Sequence, residues 1–288
     1  MSGFQQRTEL GFLPDPTEVQ ETTAGCHHGN VARFTSDRQR LGKETGLMNS
    51  GITSAENRLA GIALMVGAVL MIVAGLFYPG VALIEPVDQT NFEAAMDVTG
   101  DYPSLSHVLT LLGIIGALGY AYGFMALYRA ARHETGIAAS LLRFGVGTSF
   151  FGWAVFAVGM GMRHLVIFLV QIADGDEGYL HAALELQVAM SGVFLAAIMI
   201  YPFASFLTGL GLAPRFSSTG IHKIAAIGLV AVGVASLATI MFAQHTASPD
   251  FEVILVVNNL ILAVGTVCLF AVGAGIYAGR NELTAQNA

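Results

Sequence analysis

Residues 59–80 read LAGIALMVGAVLMIVAGLFYPG, a run of 22 residues without a charged side chain. A helix needs about 20 mostly apolar residues to cross a hydrocarbon core of roughly 30 Å. Inside lipid every backbone polar group has to be paired within the segment itself, and a helix does this. The stretch therefore predicts a transmembrane helix.

Five further apolar stretches of similar or greater length follow along the chain. Only 11% of the residues are charged, against about 25% in a typical soluble domain, and the mean hydropathy is +0.65. The short alternating segments of a membrane β-barrel do not occur in the sequence. We therefore predict an all-α fold, a polytopic membrane helix bundle with six transmembrane helices in one domain, 58–280. The predicted spans are about 59–80, 103–128, 141–172, 180–212, 221–245 and 252–279.

The two ends of the chain lack such stretches. Residues 1–57 mix both signs of charge with Pro, Gly, Thr and Gln, and a segment of this kind buries too little apolar surface to offset its ordering entropy. We expect a disordered cytoplasmic N-terminal tail at 1–57 and a short cytoplasmic tail at 281–288.

The basic residues set the predicted orientation, because lysine and arginine stay in the cytoplasm when helices insert. Twelve of the 13 fall on one side of the predicted topology, and Arg163 is the exception. The other side carries eleven acidic residues, including Asp174, Asp176 and Glu177. Both termini are therefore predicted to be cytoplasmic, in the inner membrane of a prokaryote.

Glycines recur along the second, third and sixth spans, and two motifs, Gly119-x-x-x-Gly123 and Gly275-x-x-x-Gly279, match the small-residue pattern of helix contacts in membranes. This pattern favours a compact bundle. The same glycine-rich faces could also bind a second copy of the chain or another membrane subunit. Besides the lipid bilayer we expect such a membrane partner, and no nucleic acid.

Polar side chains collect near the predicted outer ends of several spans. Counting about 1.5 Å per residue from the cytoplasmic charges places four histidines on the outer side of four different helices: His107, His164, His181 and His245. The third and fourth spans are predicted to form a hairpin about Asp174–Gly178. That hairpin would set Arg163 opposite Glu185, and a charge at membrane depth is usually paired, so we expect an ion pair between them.

Three interpretations of this outer layer remain open. The four histidines could bind a haem b through a pair on facing helices. Alternatively, His107, His164, His181 and Glu185 could gather a zinc or copper ion, since imidazole and carboxylate suit both metals. In the third interpretation the residues are structural and reach into the headgroup region.

No motif in the sequence specifies a reaction. Phosphate-binding loops, a nucleophile elbow and His-Glu-x-x-His are absent, and no Asp or Glu lies deep in a span, where ion-coupled carriers need one. We expect a membrane-embedded or accessory component of a larger assembly that is not catalytic itself. The alternatives are an outward-facing haem or metal protein and a carrier for a small, weakly polar solute that uses a kink at Pro202.

Overall fold

The computed structural model describes residues 31–245 and 251–284, and within these ranges it contains helices and no strand. The side-chain surroundings are described for 54–243, 245 and 253–284. Six of the helices are long and apolar enough to span a membrane, which confirms the all-α six-helix bundle. The helices are α1 Val31–Phe77, α2 Phe92–Asp101, α3 Pro103–Ala131, α4 Ile137–Ala173, α5 Glu177–Leu212, α6 Ile221–His245 and α7 Phe251–Tyr277. The chain divides after Met48 into two units, and all six spans belong to the second.

The bounds of α1 differ from the predicted first span at both ends. A disordered tail is expected through residue 57; residues 1–30 lie outside the described part, and from Val31 the backbone is helical. No proline interrupts the sequence from 17 to 78. The helix ends at Phe77 because Pro79 follows and Gly80 has a φ of +84°, a backbone angle that glycine adopts at no steric cost.

The loop between the first two spans contains a short helix, α2, that the apolar pattern does not indicate. Asn91 caps it, with its side chain accepting a hydrogen bond from the backbone N–H of Ala94 at 3.1 Å. Met96 of α2 is buried with Val166 of α4 and Ala183 of α5 in a small cluster of its own. The loop is thereby fixed against the ends of α4 and α5. We call this side of the bundle the outer side.

The α4–α5 hairpin is present as predicted. Asp174 and Gly175 make the turn with φ angles of 41° and 85°, and Asp176 caps α5 by accepting from the Gly178 N–H at 2.8 Å. The two helices contain 37 and 36 residues, which corresponds to about 55 Å each at 1.5 Å per residue. They are thus the longest membrane spans of the described chain.

On the inner side of the bundle, opposite the outer side, arginine side chains bind the residues at the end of α3. The guanidinium of Arg143 donates to the backbone oxygens of Ala131 at 2.8 Å and Glu134 at 2.9 Å. Arg215 pairs with the Glu134 carboxylate. The last carbonyls of a helix have no partner within it, so these contacts satisfy the end of α3 and join it to α4 and α5.

Glycines let the helices approach until backbones touch. A Cβ at Gly61 of α1 would lie 2.5 Å from the backbone N of Tyr277, and one at Gly119 of α3 would lie 2.6 Å from the Ala63 carbonyl oxygen. At Gly123 it would lie 2.5 Å from the Leu64 Cβ. The Gly119-x-x-x-Gly123 motif therefore packs α3 against α1 within one chain.

The second motif, Gly275-x-x-x-Gly279, also makes its contacts within the chain. A Cβ at Gly275 would meet the side chains of Leu283 and His222. Gly279 has a φ of +69°, and the N–H groups of Gly279 and Arg280 donate to the carbonyls of Ile276 and Gly275, both at 3.0 Å. This is the Schellman pattern that ends a helix. Both predicted glycine motifs are thus engaged inside the chain.

Candidate functional site

Two of the predicted histidines meet between α3 and α4 on the outer side. His107 lies one turn into α3, and His164 lies nine residues before the end of α4. Their Nδ1 atoms are 2.7 Å apart, and the rings stack with centres 5.0 Å apart and planes inclined by 22°. The Nε2 of His107 is 3.1 Å from Oε1 of Gln171. We call His107, His164 and Gln171 the outer polar triad.

The proton arrangement of the triad follows from donor and acceptor chemistry. If His107 Nε2–H donates to Gln171 Oε1, the neutral His107 ring has only an acceptor at Nδ1. His164 Nδ1–H then donates to it, which leaves the His164 Nε2 lone pair free of this network. Because a doubly protonated imidazole has no acceptor, the contact requires that at least one ring be neutral.

Arg163, next to the triad, is held by aromatic rings. Its guanidinium carbon lies 4.1 Å from the ring centre of Tyr78 and 4.8 Å from that of Phe194. The negative faces of aromatic rings attract a cation at such distances. The predicted ion pair between Arg163 and Glu185 is therefore wrong, because rings from the α1 end and from α5 surround the guanidinium instead.

Glu185 pairs with the other predicted residue of its own helix. His181 Nε2 is 3.2 Å from Glu185 Oε1, one turn apart on α5, and the two side chains are 73% and 71% exposed. His245, at the end of α6, is exposed and its Nδ1 is 2.8 Å from the backbone oxygen of Met241. Of the four predicted histidines, His107 and His164 come together, and His181 and His245 lie apart from them.

A metal centre built from His107, His164, His181 and Glu185 is not assembled in this arrangement. Within the described residues, no three His, Cys, Asp or Glu side chains are placed to hold one ion. His107 and His164 also touch directly, whereas two imidazoles on one tetrahedral zinc ion are about 3.3 Å or more apart at Zn–N distances near 2.0 Å. The stacked rings likewise do not fit a haem b, whose two axial imidazoles approach the iron from opposite faces.

The residues that complete these contacts are not among the predicted ones. Gln171 lies seven residues after His164, two turns along the same face of α4, so helical spacing could have identified it. No sequence pattern identifies Tyr78 and Phe194 as partners of Arg163, because aromatic residues in a span cannot be told from its other apolar residues. No known protein family, curated protein or solved structure matches the chain.

Proposed function

We propose that the protein is a non-catalytic, membrane-embedded component of a larger assembly, joined to its partner through the lipid-facing surface of α7. The observation that carries this proposal is Asn259. The side chain of Asn259 lies exposed within a membrane span, and no hydrogen bond or ion pair engages it in the described part of the chain. Counting about 1.5 Å per residue from Tyr277 places this amide at the outer edge of the hydrocarbon core, where a second helix can supply its hydrogen-bond partner.

The neighbouring asparagine of the same helix, by contrast, is buried and bonded within the chain. Asn258 is 2% exposed, and its Oδ1 accepts a hydrogen bond from the Ser236 hydroxyl of α6 at 2.6 Å. Asn258 thus joins two helices of one chain, while Asn259 faces away from them. Val256 and Leu260, 62% and 68% exposed, extend the surface around Asn259 with apolar side chains.

A second copy of the chain is the partner that fits this surface. An asparagine amide contains both a donor and an acceptor, so two Asn259 side chains can pair across a two-fold axis. The two glycine motifs are engaged within the chain, so the proposed contact through α7 does not depend on them. A single amide hydrogen bond between membrane helices is worth about 1 kcal/mol, so the apolar neighbours have to contribute as well.

The experiment measures oligomeric state in lipid nanodiscs and in mild detergent. We expect the wild-type protein to form dimers and Asn259→Leu to shift the population to monomers. Leu118→Asn serves as the matched control, because Leu118 is 64% exposed on α3 and should not restore dimers in the Asn259→Leu background. A wild-type protein that is monomeric in both media would overturn the proposal.

The same proposal places the protein in the cytoplasmic membrane of a prokaryote with both ends inside. Its support is the sorting of basic residues, twelve of 13 on the inner side, under the positive-inside rule. A cysteine at Gly175, in the α4–α5 turn, should react with an impermeant thiol reagent added to intact cells. Reaction only after the membrane is opened would reverse the orientation.

A second candidate function, binding of a zinc or copper ion, rests on the convergence of His107 and His164. Their Nδ1 atoms would have to separate from 2.7 Å to accept an ion between them, and Gln171 could supply an oxygen ligand. Metal analysis of the purified protein tests this, with His107→Ala as the variant and His181→Ala, on the exposed face of α5, as the control. A metal content that both substitutions leave unchanged would count against the triad as its site.

A further inference from the structure

Arg163 is a cation without an anionic partner among the described residues. The ion pairs within that part of the chain engage Arg129, His181 and Arg215, and none of them includes Arg163. Its guanidinium contacts the rings of Tyr78 and Phe194 instead. A ring face attracts the charge, but it does not replace the oxygen acceptors that the five N–H donors of a guanidinium need. A charge at membrane depth is usually paired, so Arg163 indicates an acceptor from outside the chain.

The nitrogens of Arg163 can be reached from outside the protein. Arg129 and Arg215 each have one side-chain nitrogen that is both buried and unpaired, whereas every side-chain nitrogen of Arg163 retains accessible surface. The residue as a whole is half-buried. The aromatic contacts therefore cover part of the guanidinium, and an acceptor from outside the chain can contact the rest.

Two separate counts along the helices place Arg163 at the level where lipid phosphates begin. Twenty residues separate it from Arg143, which binds the inner end of α3. Twenty residues also separate Tyr78, the ring nearest to its guanidinium, from Arg58 at the start of the first span. At 1.5 Å per residue each interval is about 30 Å long, which is the thickness of a hydrocarbon core. The guanidinium therefore lies at the outer boundary of that core.

The chemistry of the guanidinium and of its surroundings restricts the ligand. The planar fork of an arginine binds the oxygens of a phosphate or a carboxylate in pairs. The outer side of the predicted topology carries eleven acidic residues, and Arg163 is its single basic one, so this surface repels dissolved anions. A phospholipid reaches Arg163 along the membrane, with its phosphate already at the required level.

We propose that Arg163 binds the phosphate group of a phospholipid from the leaflet on the outer side of the bundle. The guanidinium donates to the phosphate oxygens, while the rings of Tyr78 and Phe194 keep it at the level of the headgroups. The lipid thereby supplies the anion that the described part of the chain does not.

Native mass spectrometry of the delipidated full chain in detergent measures the binding. The protein is titrated with phosphatidylglycerol and, in parallel, with a diacylglycerol of the same acyl chains, which lacks the phosphate. We expect phosphatidylglycerol to bind roughly tenfold more tightly or better, the effect of a charge-assisted hydrogen bond, and millimolar inorganic phosphate not to displace it. Equal affinity for the two lipids would show that no phosphate is bound, and displacement by inorganic phosphate would show a site for the free ion. Either result would overturn the proposal.

Three variants locate the site. Arg163→Gln removes the charge and should lower the affinity for phosphatidylglycerol to that for diacylglycerol. Arg163→Lys keeps a charge beside the rings but loses the planar fork, so it should fold like the wild type and bind with intermediate affinity.

Arg132→Gln is the matched control, because Arg132 is an exposed arginine at the inner end of α3, and it should leave the affinity unchanged. Far-UV circular dichroism checks that each variant keeps its helix content. Wild-type affinity in a folded Arg163→Gln protein, or an equal loss in Arg132→Gln, would refute the site.

Discussion

The two ends of α3 are joined to their neighbours by different kinds of contact. In the inner half, Gly119 and Gly123 bring the backbone of α3 against α1, and shape alone makes the contact. At the outer end, His107 contacts α4 through His164 and Gln171, and hydrogen bonds make it. The inner contact is insensitive to solution conditions, whereas the outer one depends on which nitrogens carry protons.

The largest expected effect is at the inner contact. Gly119→Ala should lower the free energy of unfolding by about 1–3 kcal/mol, the usual cost of forcing an extra group into a packed site, because its Cβ would lie 2.6 Å from the Ala63 carbonyl oxygen. Unfolding in mixed detergent and SDS micelles, followed by Trp153 fluorescence, measures this.

Gly147 of α4 is the matched control, since nothing lies within 4 Å of a Cβ added there. Gly147→Ala should leave stability unchanged or raise it by up to about 1 kcal/mol, the difference in helix propensity between the two residues. Equal losses in both variants would mean that backbone contact does not hold α3 to α1.

The outer contact should give the next largest effect. His107→Ala removes both hydrogen bonds of the outer polar triad and should cost about 1–2 kcal/mol of unfolding free energy. His181→Ala breaks only an exposed pair on one helix, which should cost at most about 0.5 kcal/mol. The same micelle unfolding assay compares them, and a larger loss for His181→Ala would contradict the assignment of the structural role.

The two contacts should differ most clearly in how they make the stability of the protein depend on pH. The His107–His164 contact needs one neutral imidazole as its acceptor, so protonation of both rings abolishes it. The wild type should therefore lose more unfolding free energy on acidification than His164→Gln, in which the histidine pair is absent. The Gly119→Ala variant should keep the full pH dependence of the wild type, and a reduced dependence there would show that the contacts are coupled.

The smallest expected effect is just outside α3, where the Tyr102 hydroxyl donates to Glu85 Oε1 at 2.7 Å. This hydrogen bond, together with the negative charge of Glu85, raises the pKa of the Tyr102 phenol. The neutral phenol is thus the favoured form, and the contact is retained below the ordinary value of about 10 and lost as the pH rises through the raised pKa. The difference between the absorbance titrations of the wild type and of Tyr102→Phe should show a late-titrating tyrosine, and this tyrosine should titrate earlier in Glu85→Gln; an unchanged titration curve in either variant would refute the contact.

The contrast between the ends of α3 also explains how far the sequence predicts this structure. The six spans and the hairpin at Asp174–Gly178 follow from apolar length and turn residues, which act locally. The glycine motifs predict close packing for the same reason, because a missing side chain permits contact with any helix. They do not predict which helix, since both motifs turn out to be used within the chain.

The outer polar residues show what counting residues along a helix does not predict, namely which side chains meet. Helical counting assigns His107, His164, His181 and His245 to one predicted layer, but the rotation of each helix decides which of them meet. An ion pair between Arg163 and Glu185 was predicted, but the guanidinium of Arg163 lies over the rings of Tyr78 and Phe194 instead. A cation can be satisfied by rings as well as by carboxylates, and aromatic residues in a span look like any other apolar position.

The length of the α4–α5 hairpin has one more consequence, for the profile of the protein at the membrane surface. Helices of about 55 Å exceed even the 40–45 Å of a bilayer with its headgroups, so in an untilted bundle about 10 Å of the hairpin stands clear of the lipid. The Asp174–Glu177 turn would then stand above the headgroups, tall enough to register as a protrusion in atomic force topographs.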